Sequence, residues 1–199
     1  MKATDTRKHI LEKAAPLFNK KGFRGTSLSD LEQVTGLTKG ALYAHFRDKE
    51  TLGTEAFAYA AGLVRARFDD ALRKKVTYKG KLIALLDSFA RYVLDPPLAG
   101  GCPLLNTAVE ADDDRIDLRP VVGAEITGVV HAIETLLKKG VKAGEFHKGL
   151  NAKELAYVFF CMVEGAIMFS RIERSREPMN IVIKHCKHKL DQITCSKNA

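Results

Sequence analysis

The stretch TKGALYAHFRDK, Thr38 to Lys49, decides how the rest of this 199-residue chain is read. Thr38 can cap a helix, and Lys39, Gly40 and Ala41 then give a small, basic first turn. Tyr43 and His45 add polar tips, while Leu42 and Phe46 supply the apolar side that a core needs. Small residues permit close approach to a polyanion, and Tyr, His and Lys can donate hydrogen bonds to its oxygens. The pattern predicts a recognition helix laid against a phosphate backbone. A plain helical hairpin is the competing reading, since capped short helices are common, but the composition of the exposed side counts against it.

Working outward toward the N-terminus, Ile10, Ala14, Leu17 and Phe18 recur at helical spacing between Asp5 and Lys21. Gly22 is expected to stop that helix and Phe23 to fold back onto it. Ser27 opens a second helix, with Asp30 three residues on where a capping box places its acid. Leu28, Leu31 and Val34 form its expected buried stripe, Gly36 gives the tight turn, and Asp48 caps a fourth helix from Lys49 to about Lys75. Three helices with a turn before the last make the unit that places one helix in the major groove.

Toward the C-terminus the pattern stays helical and no alternating strand stands out. Helices are expected over Lys79–Leu94, Pro103–Ala111, Leu118–Lys142 with Pro120 in its first turn, Asn151–Arg174, and Pro178–Thr194. Pro96-Pro97 with Gly100-Gly101, the acidic turn Asp112-Asp113-Asp114, and Gly144–Gly149 read as loops, and the final SKNA as a frayed end. The fold class is therefore all-α. A helix-turn-helix DNA-binding domain is expected over residues 1–50, and a helical ligand-binding and dimerisation domain over 51–199.

Composition narrows the function classes. A net charge of +8 favours a polyanionic partner, nucleic acid or an anionic membrane surface. The polar start MKATDTRKHI is no secretory signal, and the most apolar run, Ala156–Phe169, falls short of the roughly 18 residues a membrane span needs. A soluble cytoplasmic protein without a membrane partner is the default. Cys102, Cys161, Cys186 and Cys195 form no C-x-x-C pair and read as reduced thiols. Paired carboxylates, a Ser-His-Asp set and a glycine-rich nucleotide loop are all missing, which argues against an enzyme. His185, Cys186 and His188 lack the further ligands a metal centre needs, so neither metal nor other cofactor is expected.

The run GFRGTSLSDLEQVTGLTKGALYAHFRDKETL, with the helix before it, resembles the TetR family of one-component transcriptional repressors over about residues 5 to 57. The Gly-Phe, the Thr-Ser cap, the Gly-Leu-Thr-Lys-Gly turn and the Leu-Tyr-x-His-Phe-x-x-Lys run come in the family's order. Glu32 and Thr35 depart from it, standing where small alanines are usual. The resemblance implies an all-helical homodimer whose last two helices, within residues 151–194, pair with those of a second copy. It implies repression from a palindromic double-stranded operator, relieved by a small-molecule inducer. Carried over by position, Thr26, Ser27, Thr38, Tyr43, His45 and Lys49 would meet phosphates, and Lys39, Gly40 and Ala41 would lie at base edges.

The sensing side is less defined. GGCPLLNTAVEADD, Gly100 to Asp113, resembles a segment of a subset of these regulators in which a cysteine answers electrophiles or oxidants. A thiol-based regulator acting through Cys102 is therefore an alternative to a ligand-responsive one, and a small apolar wall residue is the plainer role for that cysteine. Cys161 is expected to pack at the dimer interface. By polarity and position, an inducer pocket would draw on Phe89, Tyr92, Cys102, Asn106, Val130, Glu134, Phe159 and Met162. A helical partner-binding protein with no DNA role is the remaining alternative.

Overall fold

A computed structural model describes residues 3–113 and 115–195. Asp114 of the expected acidic turn and the SKNA end lie outside the described residues. The order is α1 (Ala3–Gly25), α2 (Leu28–Thr35), α3 (Lys39–Tyr43), α4 (Lys49–Arg73), α5 (Tyr78–Tyr92), α6 (Pro103–Asp113), a 3-10 turn (Ile116–Leu118), α7 (Arg119–Lys142), α8 (Ala152–Ile172) and α9 (Glu177–Ile193). The fold is all-α, and an isolated antiparallel bridge between Phe146 and Thr194 interrupts it. Two compact units emerge: the described residues up to Arg65 with Pro97–Gly123, and Ala66–Pro96 with Ala124 onward. The first unit thus runs past residue 50 and takes in the segment that carries α6.

In the first unit, Ile10, Ala14, Leu31, Leu42, Phe46 and Leu52 form a core with none more than 2% exposed. α1 leaves helical geometry at Gly22 (φ 74°, ψ 170°), where the sequence predicts its end, and then resumes to Gly25. The α2 capping box is complete: the Asp30 amide donates to Ser27 Oγ at 3.1 Å, and the Ser27 amide to Asp30 Oδ2 at 2.9 Å. Gly36 closes α2 at φ 69°, a left-handed conformation that a Cβ would strain. The buried stripe of α2 differs from expectation. Leu28 and Val34 are only half-buried, and Thr35 takes the inner place beside Leu31. Its hydroxyl donates to the Leu31 carbonyl at 2.6 Å, so this polar side chain is buried at little cost.

A second cluster, Ala15, Ala56, Ala60 and Leu98, joins α1, α4 and the loop before α6. Asn19 and Asn106 stitch that loop down. Asn19 Nδ2 donates to the carbonyls of Ala99 and Gly101, each at 2.9 Å. Asn106 Nδ2 donates to Asn19 O and Oδ1 at 3.0 Å and to the Gly100 carbonyl at 2.9 Å.

In the second unit, α9 packs on both α5 and α8. Thr77 caps α5, and the Glu145 carboxylate accepts from the Tyr78 and Lys79 amides at 3.1 and 2.9 Å. Phe68 and Phe89 meet with ring centroids 4.5 Å apart. α8 begins at the Asn151 cap as expected and runs for 21 residues, longer than its most apolar run. It and the segment Ile116–Lys142 are long and apolar enough to cross a membrane, which corrects the length argument above. Part of that apolarity on α8 is spent inside the unit: Leu155, Ala156, Phe159, Phe160, Val163, Ala166 and Ile167 are buried. The rest forms an exposed stripe of Tyr157, Val158, Met168, Phe169 and Ile172, with Ile181 contributed by α9.

Candidate nucleic-acid interface

α3 has five residues, too few to hold a helix without outside support. Four supports are visible. Leu42 and Phe46 anchor one side in the core at 1% and 2% exposure. Thr38 Oγ1 accepts from the Ala41 amide at 3.3 Å, and Glu32 Oε1 accepts from the Lys39 amide at 2.6 Å. At the far end, Arg7 donates to the His45 carbonyl and pairs with Glu55, while its guanidinium lies 4.3 Å from the Phe46 ring centroid. With the inner side fixed, Lys39, Gly40 and Ala44 are exposed, and Ala41, Tyr43 and His45 are half-buried.

The flanking residues divide. Ser27 is exposed at the start of α2, its hydroxyl engaged with Asp30. Thr26 is 0% exposed, and its hydroxyl donates to the Gly22 carbonyl at 2.7 Å. Its side chain has no access to a phosphate, which corrects the role expected for it: it locks the kink of α1. Lys49 is half-buried with its ammonium 4.4 Å from the Phe23 ring centroid. Lys21 and Arg47, unassigned from sequence, pair with Asp30 and Asp48, each at 2.7 Å. The hydrogen bond from Lys21, then those from Ser27, hold the Asp30 carboxyl down at about 2. Those from Thr51, then Arg47, do the same for Asp48, also to about 2. Both acids are thus ionised helix caps, complementary to the helix dipole.

Behind this surface, α6 grips the same unit. Glu110 accepts the Phe23 amide on both oxygens, at 2.8 and 2.9 Å, and Arg115 stacks 3.7 Å from the Phe23 ring centroid. A cavity of about 30 Å³ lies among α1, α4 and α6, lined by Phe18, Phe23, Gly53 and Glu110, with room for about one water. Sequence reading missed Arg7, Asn19, Glu110 and Arg115 as structural members. Each touches a residue tens of positions away, Arg115 through the Phe23 ring and the others through hydrogen bonds, and no local pattern marks such a pair.

The expected pocket residues divide between the two units. Phe89, Tyr92, Val130 and Phe159 are buried packing residues of the second unit. Glu134 is held by Lys138 at 2.6 Å. Phe159 and Met162 line an open groove of about 540 Å³ between α8 and α9, with His147, Leu155, His185 and Lys189. Cys102 and Asn106 belong to the first unit instead. Asn106 spends its amide donors on Asn19 and Gly100, a structural role. Cys102 is 4% exposed, and no cysteine is in a disulfide. Cys161, expected to be packed, is exposed on α8, whereas Cys186 is buried, its thiol pushed up to about 11 by that burial.

With this geometry in view, the comparisons with known proteins agree. Residues 10–56 match the model of bacterial regulatory proteins of the tetR family, and residues 79–186 match the tetracyclin repressor-like C-terminal domain. A TetR transcriptional regulator from Chloroflexus aurantiacus superposes with a TM-score of 0.93 at 40% identity, over 97% of this chain and 98% of that one. A TetR-family regulator from Cytophaga hutchinsonii gives 0.91 at 35%, over 99% and 98%. The HTH-type transcriptional repressor DhaR of Mycobacterium sp. (strain GP1) is 27% identical over 90% of this chain and 89% of its own length. The chain belongs to the TetR family: it is a helix-turn-helix transcriptional regulator that binds double-stranded DNA, and not an enzyme.

Proposed function

We propose that this regulator is a cytoplasmic homodimeric repressor that holds a palindromic operator and releases it when a small molecule binds its second unit. The observation that carries the reading is the exposed first turn of α3. Lys39 and Gly40 stand clear of the core while caps and core anchors fix the helix behind them. Ser27 at the start of α2, and Thr38, Tyr43, His45 and Lys49, would serve the phosphates, with Lys39, Gly40 and Ala41 at base edges. Thr26 has no place in this set.

The dimer reading rests on the apolar stripe of α8. Met168, Phe169 and Ile172 are 46%, 55% and 80% exposed, a patch that a second copy would cover. Two copies would set two α3 helices at the spacing of operator half-sites. The similarity to DhaR, a repressor, supports the sign of regulation. Release would follow from a ligand that prefers one arrangement of α4, whose chain passes from one unit into the other. The burial of Cys102 favours a bound ligand over thiol chemistry as the signal.

The test begins with selection of duplexes from a random pool by the full-length protein, followed by gel-shift titration of the enriched sequence. A palindromic consensus is expected. Lys49→Ala and Tyr43→Ala should each weaken binding about tenfold on every sequence while the fold is kept. A wild-type protein that enriches nothing at low salt sinks the reading.

A further inference from the structure

The short contact between Glu32 and the start of α3 enters the reading above only as one cap among several supports. Glu32 lies in the second half of α2, and its carboxylate reaches across the Gly36 turn to accept the Lys39 amide at 2.6 Å. A carboxylate that accepts a backbone amide makes a charge-assisted hydrogen bond. The first amides of a helix have no partner within it. Thr38, the adjacent cap, takes the Ala41 amide, and Glu32 takes that of Lys39, the first residue of α3. The two supports differ in kind. Thr38 secures the turn locally, whereas Glu32 ties the first residue of α3 to the body of α2, independently of the turn between them. Lys39, exposed, makes no ion pair among the described residues, so the carboxylate holds its backbone and leaves its ammonium to a partner.

We infer that Glu32 is a positioning residue for sequence reading: its carboxylate fixes the orientation of the first turn of α3, and with it the reach of Lys39, Gly40 and Ala41 to base edges. The inference rests on the DNA-binding reading of this unit and adds a residue that touches no DNA itself. Specific and non-specific binding respond differently to such a strut. Non-specific affinity follows neutralised phosphate charge, whereas base readout follows the placement of a few donors. Removal of the strut therefore lowers the preference for the operator and leaves general affinity in place.

Three full-length proteins test this: wild type, Glu32→Ala and Glu32→Gln. Each is titrated against the duplex that the wild type enriches from a random pool and against a shuffled duplex of the same composition. Glu32→Ala is expected to lower the operator-to-shuffled affinity ratio by about five- to tenfold, the loss of one cap, with shuffled-duplex affinity unchanged or slightly raised. Glu32→Gln keeps an acceptor oxygen without the charge and is expected to restore most of that ratio. A merely stabilising residue would lower both affinities together, and that result overturns the inference. So does equal tightening on both duplexes by both variants, which would make Glu32 only a repulsive charge, and so does an unchanged ratio. A wild type that enriches no sequence overturns the DNA reading as well, an outcome visible before either variant is made.

Discussion

Thr26 and Ser27 are neighbours with the same functional group and opposite employment. The Thr26 hydroxyl is buried on the Gly22 carbonyl, whereas the Ser27 hydroxyl sits at the exposed mouth of α2. Thr26→Val should therefore destabilise the protein by about 1 kcal/mol, because the half-buried Gly22 carbonyl loses its donor, and should leave the salt dependence of DNA binding unchanged. Ser27→Ala should cost about 1 kcal/mol as a lost cap. Urea denaturation and a salt titration of DNA affinity check both. Asp30 and Asp48 make a prediction about acid. Their carboxyls lie at about 2 in the folded chain, below the ordinary 3.8, so the stability they contribute is present above about pH 4 and is lost as pH falls through 2. Acid titration of the wild type against Asp30→Asn should show the two curves converge between pH 4 and 2. The Cys186 thiol, pushed up to about 11 by burial, should resist iodoacetamide in the native protein and react once it is unfolded.

At the scale of elements, the clamp of α6 on α1 carries a strict steric condition. Gly100 has φ 113°, and a Cβ there would stand 2.7 Å from the Asn19 carbonyl oxygen, the backbone that the clamp fastens. Gly100→Ala should cost about 1–3 kcal/mol or more in unfolding experiments, because both the conformation and the contact resist a side chain. The loss should appear as weaker protection of the Phe23 amide from hydrogen exchange, since Glu110 holds that amide from the same helix that Asn106 anchors. α2, α3 and α4 were legible in the sequence because their caps, Ser27, Thr38 and Asp48, lie within three residues of the amides they satisfy. The clamp was not legible, because Asn19 and Glu110 act on partners 80 or more residues away.

For the whole molecule, the proposed dimer turns on residues that look wasteful in one copy. Phe169→Lys together with Ile172→Glu should leave helical content unchanged, since both side chains are exposed. The double variant is expected to sediment as a monomer and to lose operator binding by at least about a hundredfold, because two linked heads bind far more tightly than one. A dimer that persists would move the interface elsewhere. Cys161, exposed on the same helix, offers a second measurement: its alkylation should be slow in wild type and fast in the double variant.

Two things were determined by the sequence alone. One is the all-helical class, set by apolar residues at helical spacing. The other is the helix-turn-helix segment, set by local caps and a small, basic first turn between Thr38 and Ala41. Both follow from interactions a few residues long, which a linear reading can follow. Tertiary structure decided that Thr26 is locked inside, that Asn106 belongs to the clamp of α6 on α1, and that Glu32 holds the Lys39 amide across a turn. Those outcomes depend on which donors and acceptors the folded chain brings within 3 Å of one another, and spacing along the chain does not contain that distance.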